Sequence, residues 1–63
     1  MIRRKTNITK AEVDAEERSL KMRGYKRGFG SSELGLQTKE YLIAEEMGSF
    51  GKDKRFRIAW KEE

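Results

Sequence analysis

Between Ser31 and Phe50 the chain reads SSELGLQTKEYLIAEEMGSF, which gathers Leu34, Leu36, Tyr41, Leu42, Ile43, Met47 and Phe50 into twenty residues. Any core this chain builds has to draw on that stretch. Taken as one helix at about 100° per residue, it places Leu36, Ile43, Met47 and Phe50 in one sector and Leu34 and Tyr41 nearly opposite. An unbroken helix that is apolar on two sides needs a second subunit over Leu34 and Tyr41. The alternative is a break near Gly35, with a short helical turn from Ser31 and a main helix from Lys39 to Met47, capped by Thr38 and Gly48.

The remainder offers little extra core. Only 35% of the 63 residues are hydrophobic against 41% charged, and the chain has neither Cys nor His. Residues 1–63 therefore read as one small domain, burying about 60% of the surface its unfolded chain exposes. With no disulfide and no zinc ligand set to staple it, association with a second copy is the expected route to stability, and a homodimer is the expectation.

The flanking segments carry clear local signals. Ile2 to Ile8 alternates Ile2, Arg4, Thr6 and Ile8 against Arg3, Lys5 and Asn7, which suits an N-terminal strand. Thr9 and Glu12 have the spacing of a capping box, so a helix should begin at Lys10 and stop at Gly24. Asp14 with Arg18, and Glu17 with Lys21, have the spacing of helical ion pairs. Val13 and Leu20 share one helix face, with Ala11, Ala15 and Met22 roughly opposite. Tyr25 to Gly30 reads as a glycine-bearing loop whose Tyr25 and Phe29 fold back onto the core. Arg55 to Lys61, RFRIAWK, puts Phe56, Ile58 and Trp60 on one side of a strand. Gly51 to Lys54 reads as the turn before it, and its partner is Ser49 and Phe50, the N-terminal segment, or the same strand of another subunit.

Catalysis is hard to build from these residues. Without His or Cys there is no proton shuttle near neutrality and no thiol nucleophile, and Glu16-Glu17 and Glu45-Glu46 are adjacent pairs that diverge on a helix. No enzyme, metal or cofactor is expected. No apolar run could cross a bilayer and no signal-peptide core opens the chain, so a cytoplasmic protein with no membrane partner is expected. The net charge of +4 and pI near 9.6 favour a polyanion. The cations cluster at both chain ends and in the loop. Arg3, Arg4, Lys5, Arg27, Lys39, Lys52, Lys54, Arg55 and Arg57 are the candidate phosphate contacts.

Four short patterns bear on how such a contact could be made. Arg27-Gly28-Phe29-Gly30 resembles the first half of an RNA-recognition-motif signature, although Ser31 and Ser32 stand where aromatic and β-branched residues would continue it. Gly48-Ser49-Phe50-Gly51 resembles a KH-type GxxG loop, without an apolar helix after it. Leu34-Gly35-Leu36 resembles the centre of a helix-turn-helix, which would set Gln37, Thr38, Lys39 and Glu40 toward the major groove. The order strand, helix, glycine loop, helix over Arg3 to Met47 resembles ribbon-helix-helix repressors, whose dimeric strands would present Arg3, Lys5 and Asn7.

The resulting expectation is an α+β domain of two helices with a short C-terminal strand or hairpin and an N-terminal strand. Its expected function is nucleic-acid binding, DNA before RNA, as a regulatory or accessory factor. The competing expectation is a protein-interaction module, a small inhibitor or adaptor, that docks through Phe56, Ile58 and Trp60, with Trp60 as the natural anchor.

Overall fold

A computed structural model describes residues 1–30, 32–46 and 54–62. The chain runs β1 (Ile2–Ile8), α1 (Lys10–Met22), β2 (Lys26–Arg27), a 3-10 turn (Glu33–Gly35), β3 (Glu40–Glu45) and β4 (Phe56–Lys61). The strands form a single mixed sheet in the order β1-β4-β3-β2. β4 pairs antiparallel with both β1 and β3, and β2 lies parallel to β3, so three strands run one way and β4 the other.

Local chemistry accounts for α1. The Thr9 hydroxyl accepts from the Glu12 backbone N–H at 3.2 Å and the Glu12 carboxylate accepts from the Thr9 backbone N–H at 3.4 Å, the reciprocal capping box. At the other end Gly24 takes a φ of 90°, the Gly24 N–H donates to the Lys21 carbonyl and the Tyr25 N–H donates to the Leu20 carbonyl. That is a Schellman stop, and its apolar contact is Tyr25 with Leu20. Only one side of the helix is buried: Val13 and Leu20 face the sheet while Met22 is exposed. The expected pairs of Asp14 with Arg18 and Glu17 with Lys21 give way to other partners. Lys10 takes Asp14 at 2.8 Å, and Glu17 faces Arg27 and Tyr41.

The second helix is a correction. The segment expected to be helical from Lys39 to Met47 is instead strand β3 over Glu40–Glu45, so the α+β domain of two helices becomes one helix on a four-stranded sheet. Both faces of β3 are covered. Tyr41 and Ile43 point to α1, while Leu42 lies under Leu36 on the other side. A strand buried on both faces is a continuous apolar run rather than an alternation, and such a run cannot be told from a helix by periodicity. The turn after Ser32 is a single 3-10 turn at Glu33–Gly35, and its Leu34 is fully exposed. Neither a continuous helix nor one broken at Gly35 exists among the described residues. With them go the helix-turn-helix and ribbon-helix-helix resemblances and the recognition helix they required. Tyr41 is covered within its own chain, so the case for a second subunit over it lapses as well.

The core divides between the two sheet faces. Ile8, Val13, Leu20, Tyr25, Tyr41, Ile58 and Trp60 form the cluster under α1, with Ile43 and Phe56 at its margin. On the second face Leu36 closes over Leu42 and Ala59, with Ile2 beside them. Gly28 makes that closure sterically feasible: a Cβ there would stand 3.2 Å from Leu36 Cδ2, and the Gly28 N–H donates to the Tyr41 carbonyl at 2.7 Å. Phe29, expected on the core, is instead fully exposed. The pairing expected for Ser49 and Phe50, the turn from Gly51 and the Gly48–Gly51 loop lie outside the described residues. No described helix is long and apolar enough to cross a membrane.

Candidate nucleic-acid interface

The candidate contact residues distribute along the sheet rather than over one face. Most are already opposite a carboxylate. Arg3 Nε lies 3.5 Å from Glu62, Arg4 Nη2 lies 2.8 Å from Glu33, and Lys5 pairs with Glu16. Arg27 Nη1 is 3.7 Å from Glu17 and Lys54 Nζ is 3.5 Å from Glu45. These are surface pairs worth about 0–1 kcal/mol each. On β1 they also guard an open sheet edge, since Arg3, Arg4 and Lys5 oppose pairing with another basic strand. Lys52 lies outside the described residues. Arg55 and Arg57 belong to the hairpin end of the sheet, far along β4 from Arg3, which is in register with Trp60.

Backbone geometry does gather one group of cations. The Lys26 N–H donates to the Lys39 carbonyl at 2.9 Å and the Lys39 N–H donates to the Lys61 carbonyl at 3.0 Å, so three lysines stand in a row across the ends of β2, β3 and β4. Arg3 joins from β1, opposite Trp60. Arg23, the C-cap of α1, reaches Glu62 at 3.7 Å. Arg23 and Lys39 both lie over the Tyr25 ring, at 5.2 and 5.7 Å from its centroid, and with Glu62 they line a hollow of about 200 Å³. Of the described carboxylates here, Glu62 is shared by Arg3 and Arg23, and Glu40 accepts from the Gln37 N–H at 2.8 Å.

Lys39 occupies this place at a conformational cost. Its φ is 65°, the left-handed region, in a turn closed by the Glu40 N–H donating to the Gln37 carbonyl at 3.0 Å. Gly or Asn suits that position, and a long side chain there costs about 1 kcal/mol. What the lysine adds is its ammonium over Tyr25. The Glu62 carboxyl is held below its ordinary range, first by the Trp60 indole N–H donating to it at 3.1 Å and then, against the opposing effect of burial, by Arg3 and Arg23. Glu62 thus stays ionised and orients the two arginines.

Arg23, Lys26 and Lys61 are the cluster members that the sequence reading missed. Arg23 was hidden as a helix C-terminus, and the two lysines stand tens of residues apart in sequence until the sheet aligns them. The anchors of the docking-strand reading are core instead: Ile58 is fully buried and Trp60 is 8% exposed, both under α1. The Arg27-Gly28-Phe29-Gly30 resemblance also fails in geometry, because only Lys26–Arg27 is strand and Phe29 stands outside the sheet.

The hairpin end of the second face is a different environment. Between the pairs Lys5–Ile58 and Ile8–Phe56, two residues of β1, Thr6 and Asn7, stand opposite the single residue Arg57, a β-bulge. On the other side Arg57 pairs with Ala44. Small neighbours leave a hollow of about 440 Å³ lined by Thr6, Glu45, Glu46 and Arg57. Asn7 has a φ of 55°, and its N–H is taken by Glu46 Oε1 at 2.8 Å, reaching from the end of β3 across β4. Against known proteins the chain stands alone: no family model, no curated protein and no solved structure matches it.

Proposed function

We propose that this domain binds nucleic acid through phosphate contacts at the strand-end cluster of Arg3, Arg23, Lys26, Lys39 and Lys61. The observation that carries the reading is the run of cations along one end of the sheet: Arg23 and Lys39 over the Tyr25 ring, Arg3 sharing Glu62 with Arg23, and Lys26 and Lys61 joined to Lys39 through the backbone. Such an excess attracts a polyphosphate backbone and releases its counterions, without reading sequence. A cytoplasmic location, where nucleic acid is within reach, goes with this reading. The test is titration of labelled duplex DNA, single-stranded DNA and single-stranded RNA at about 50 and 200 mM salt, a range over which phosphate contacts weaken strongly. Affinity should fall steeply between the two. The double variant Arg23→Gln/Lys39→Gln should bind about tenfold more weakly and flatten the log–log salt slope by roughly 1.5 to 2. No binding to any of the three at low salt overturns the reading.

A protein partner is a second reading, supported by a different surface from the one the sequence suggested. Phe29 and Leu34 are 102% and 99% exposed on the connection between β2 and β3. Replacing both with Ser should leave nucleic-acid affinity unchanged and abolish any association that depends on this connection.

A further inference from the structure

One margin of the sheet is a long strand with a free side. β1 is seven residues long and closes the sheet at that margin, whereas the opposite margin is the two-residue β2. The Glu62 N–H donates to the Met1 carbonyl at 2.9 Å and the Met1 ammonium donates to the Glu62 carbonyl at 3.1 Å, so these two residues exchange both bonds of an antiparallel ladder. Such pairs alternate along a strand. With Arg3 opposite Trp60 and Lys5 opposite Ile58, the backbone groups of Arg3 and Lys5 turn to β4, and those of Ile2, Arg4 and Thr6 turn outward. Among the described residues no backbone group bonds to that outer side. It is a template for a further strand. The template stops at the bulge, where the Asn7 N–H is already taken by Glu46.

Charge says what such a strand can be. Arg3, Arg4 and Lys5 are consecutive and half-exposed, so they stand on both faces of β1. Residues directly opposite on paired strands attract when their charges differ and repel when they match. A second copy pairing antiparallel about the middle of β1 would set Arg4 against Arg4, so this edge turns away its own kind. We infer that β1 is a docking edge for an extended protein segment carrying a run of acidic residues, which joins the sheet as a fifth strand. Ladder hydrogen bonds to Ile2, Arg4 and Thr6 hold the segment, and carboxylates opposite Arg3, Arg4 and Lys5 select it. The chain's own carboxylates leave that place open, since Glu62, Glu33 and Glu16 belong to the end of β4, the 3-10 turn and α1. A guanidinium has five N–H donors and an ammonium three, enough to serve a second carboxylate each. An apolar residue beside the acidic run would meet Ile2 and extend the Leu36, Leu42 and Ala59 cluster.

The experiment titrates the full chain with the end-blocked peptide Thr-Val-Glu-Glu-Glu-Val-Thr and with the same peptide carrying Lys for Glu. The acidic peptide should bind at least about tenfold more tightly than the basic one. Two further versions of the acidic peptide are N-methylated on every second amide, in opposite phases. One phase should abolish binding and the other leave it, because only alternate N–H groups of an added strand face the sheet. In amide hydrogen exchange of the free protein, Arg4 and Thr6 should exchange fast and Arg3 and Lys5 slowly. The acidic peptide should slow Arg4 and Thr6 by about tenfold or more. Arg4→Glu should weaken binding of the acidic peptide by about tenfold; should it misfold, the two methylated peptides decide on the unsubstituted protein. Absent binding of the acidic peptide overturns the inference. An equal effect of both methylation phases overturns it in favour of plain charge attraction. Slow exchange of Arg4 and Thr6 in the free protein shows the edge already covered and overturns it too. Slowing of those two amides by oligothymidine but not by the peptide overturns it in favour of nucleic acid at this edge.

Discussion

The two faces of the sheet solve the same covering problem with opposite means. Under α1 the cover is a whole helix, and Val13, Leu20, Tyr41 and Ile58 are almost completely excluded from water. On the second face, among the described residues, the cover is Leu36, set over Leu42 and Ala59 with Ile2 beside them, and Arg4 tied to Glu33 nearby. Beyond Leu36, among the described residues, that face becomes the polar hollow at Arg57. The helix face holds the larger buried cluster, and the second face the smaller one. Among the described residues the one 13-residue helix covers only one side.

The sharpest way to break this contrast is to compare truncations on the two faces. Leu20→Ala should cost about 3 kcal/mol, since the void lies inside a closed core. For a domain whose whole stability is roughly 3–9 kcal/mol, that leaves a protein close to its unfolding midpoint in mild urea. Leu36→Ala should cost less, about 2 kcal/mol, because part of its site opens to water and fills. Denaturant melts of both variants test the order. Equal or reversed losses would mean that the connection, not the helix, holds the sheet together.

A smaller effect sharpens the same comparison at the margin of the helix face. The Tyr41 hydroxyl donates to Glu17 Oε2 at 2.8 Å, and Arg27 lies on the same carboxylate at 3.7 Å. Burial first, then the hydrogen bond and charge of Glu17, push the Tyr41 pKa up from 10.0 to about 12. Below pH 10 the full contribution is present, and Tyr41→Phe should lose about 1 kcal/mol. Between pH 10 and about 12 the unfolded chain releases this proton while the folded one retains it. Stability therefore falls as pH rises, by on the order of 2 kcal/mol. The unsubstituted protein should lose its advantage over Tyr41→Phe at about pH 11 and be the less stable of the two by about pH 12. A constant difference from pH 8 to 12 would show that neither burial nor Glu17 raises the pKa of the hydroxyl.

How far the fold was legible depended on whether a signal was local. Thr9 with Glu12 marked the start of α1 and Gly24 its end, since capping is settled within a few residues of backbone. β1 and β4 showed too, one by alternation and the other by Phe56, Ile58 and Trp60 on one side. Tyr41, Leu42 and Ile43 misled because all three are apolar, and an apolar triplet has no period. Its strand identity comes from β4 alongside it and Leu36 above it, neither of which is a neighbour in sequence. The candidate site divides in the same way. Arg3, Lys39 and Arg57 were visible as charge, but not that Arg3 and Lys39 share one end with Arg23, Lys26 and Lys61, nor that Arg57 stands apart from them.

The sequence by itself determined that the chain is basic, lacks His and Cys, and begins with a strand and a capped helix, because composition and caps depend only on residues close in the chain. The tertiary structure alone decided what Ser31 to Phe50 becomes. Its described part is a turn and a strand, since covering Tyr41 on one face and Leu42 on the other satisfies an apolar run that a lone helix would have left half exposed. The same decision sets a row of lysines across the strand ends.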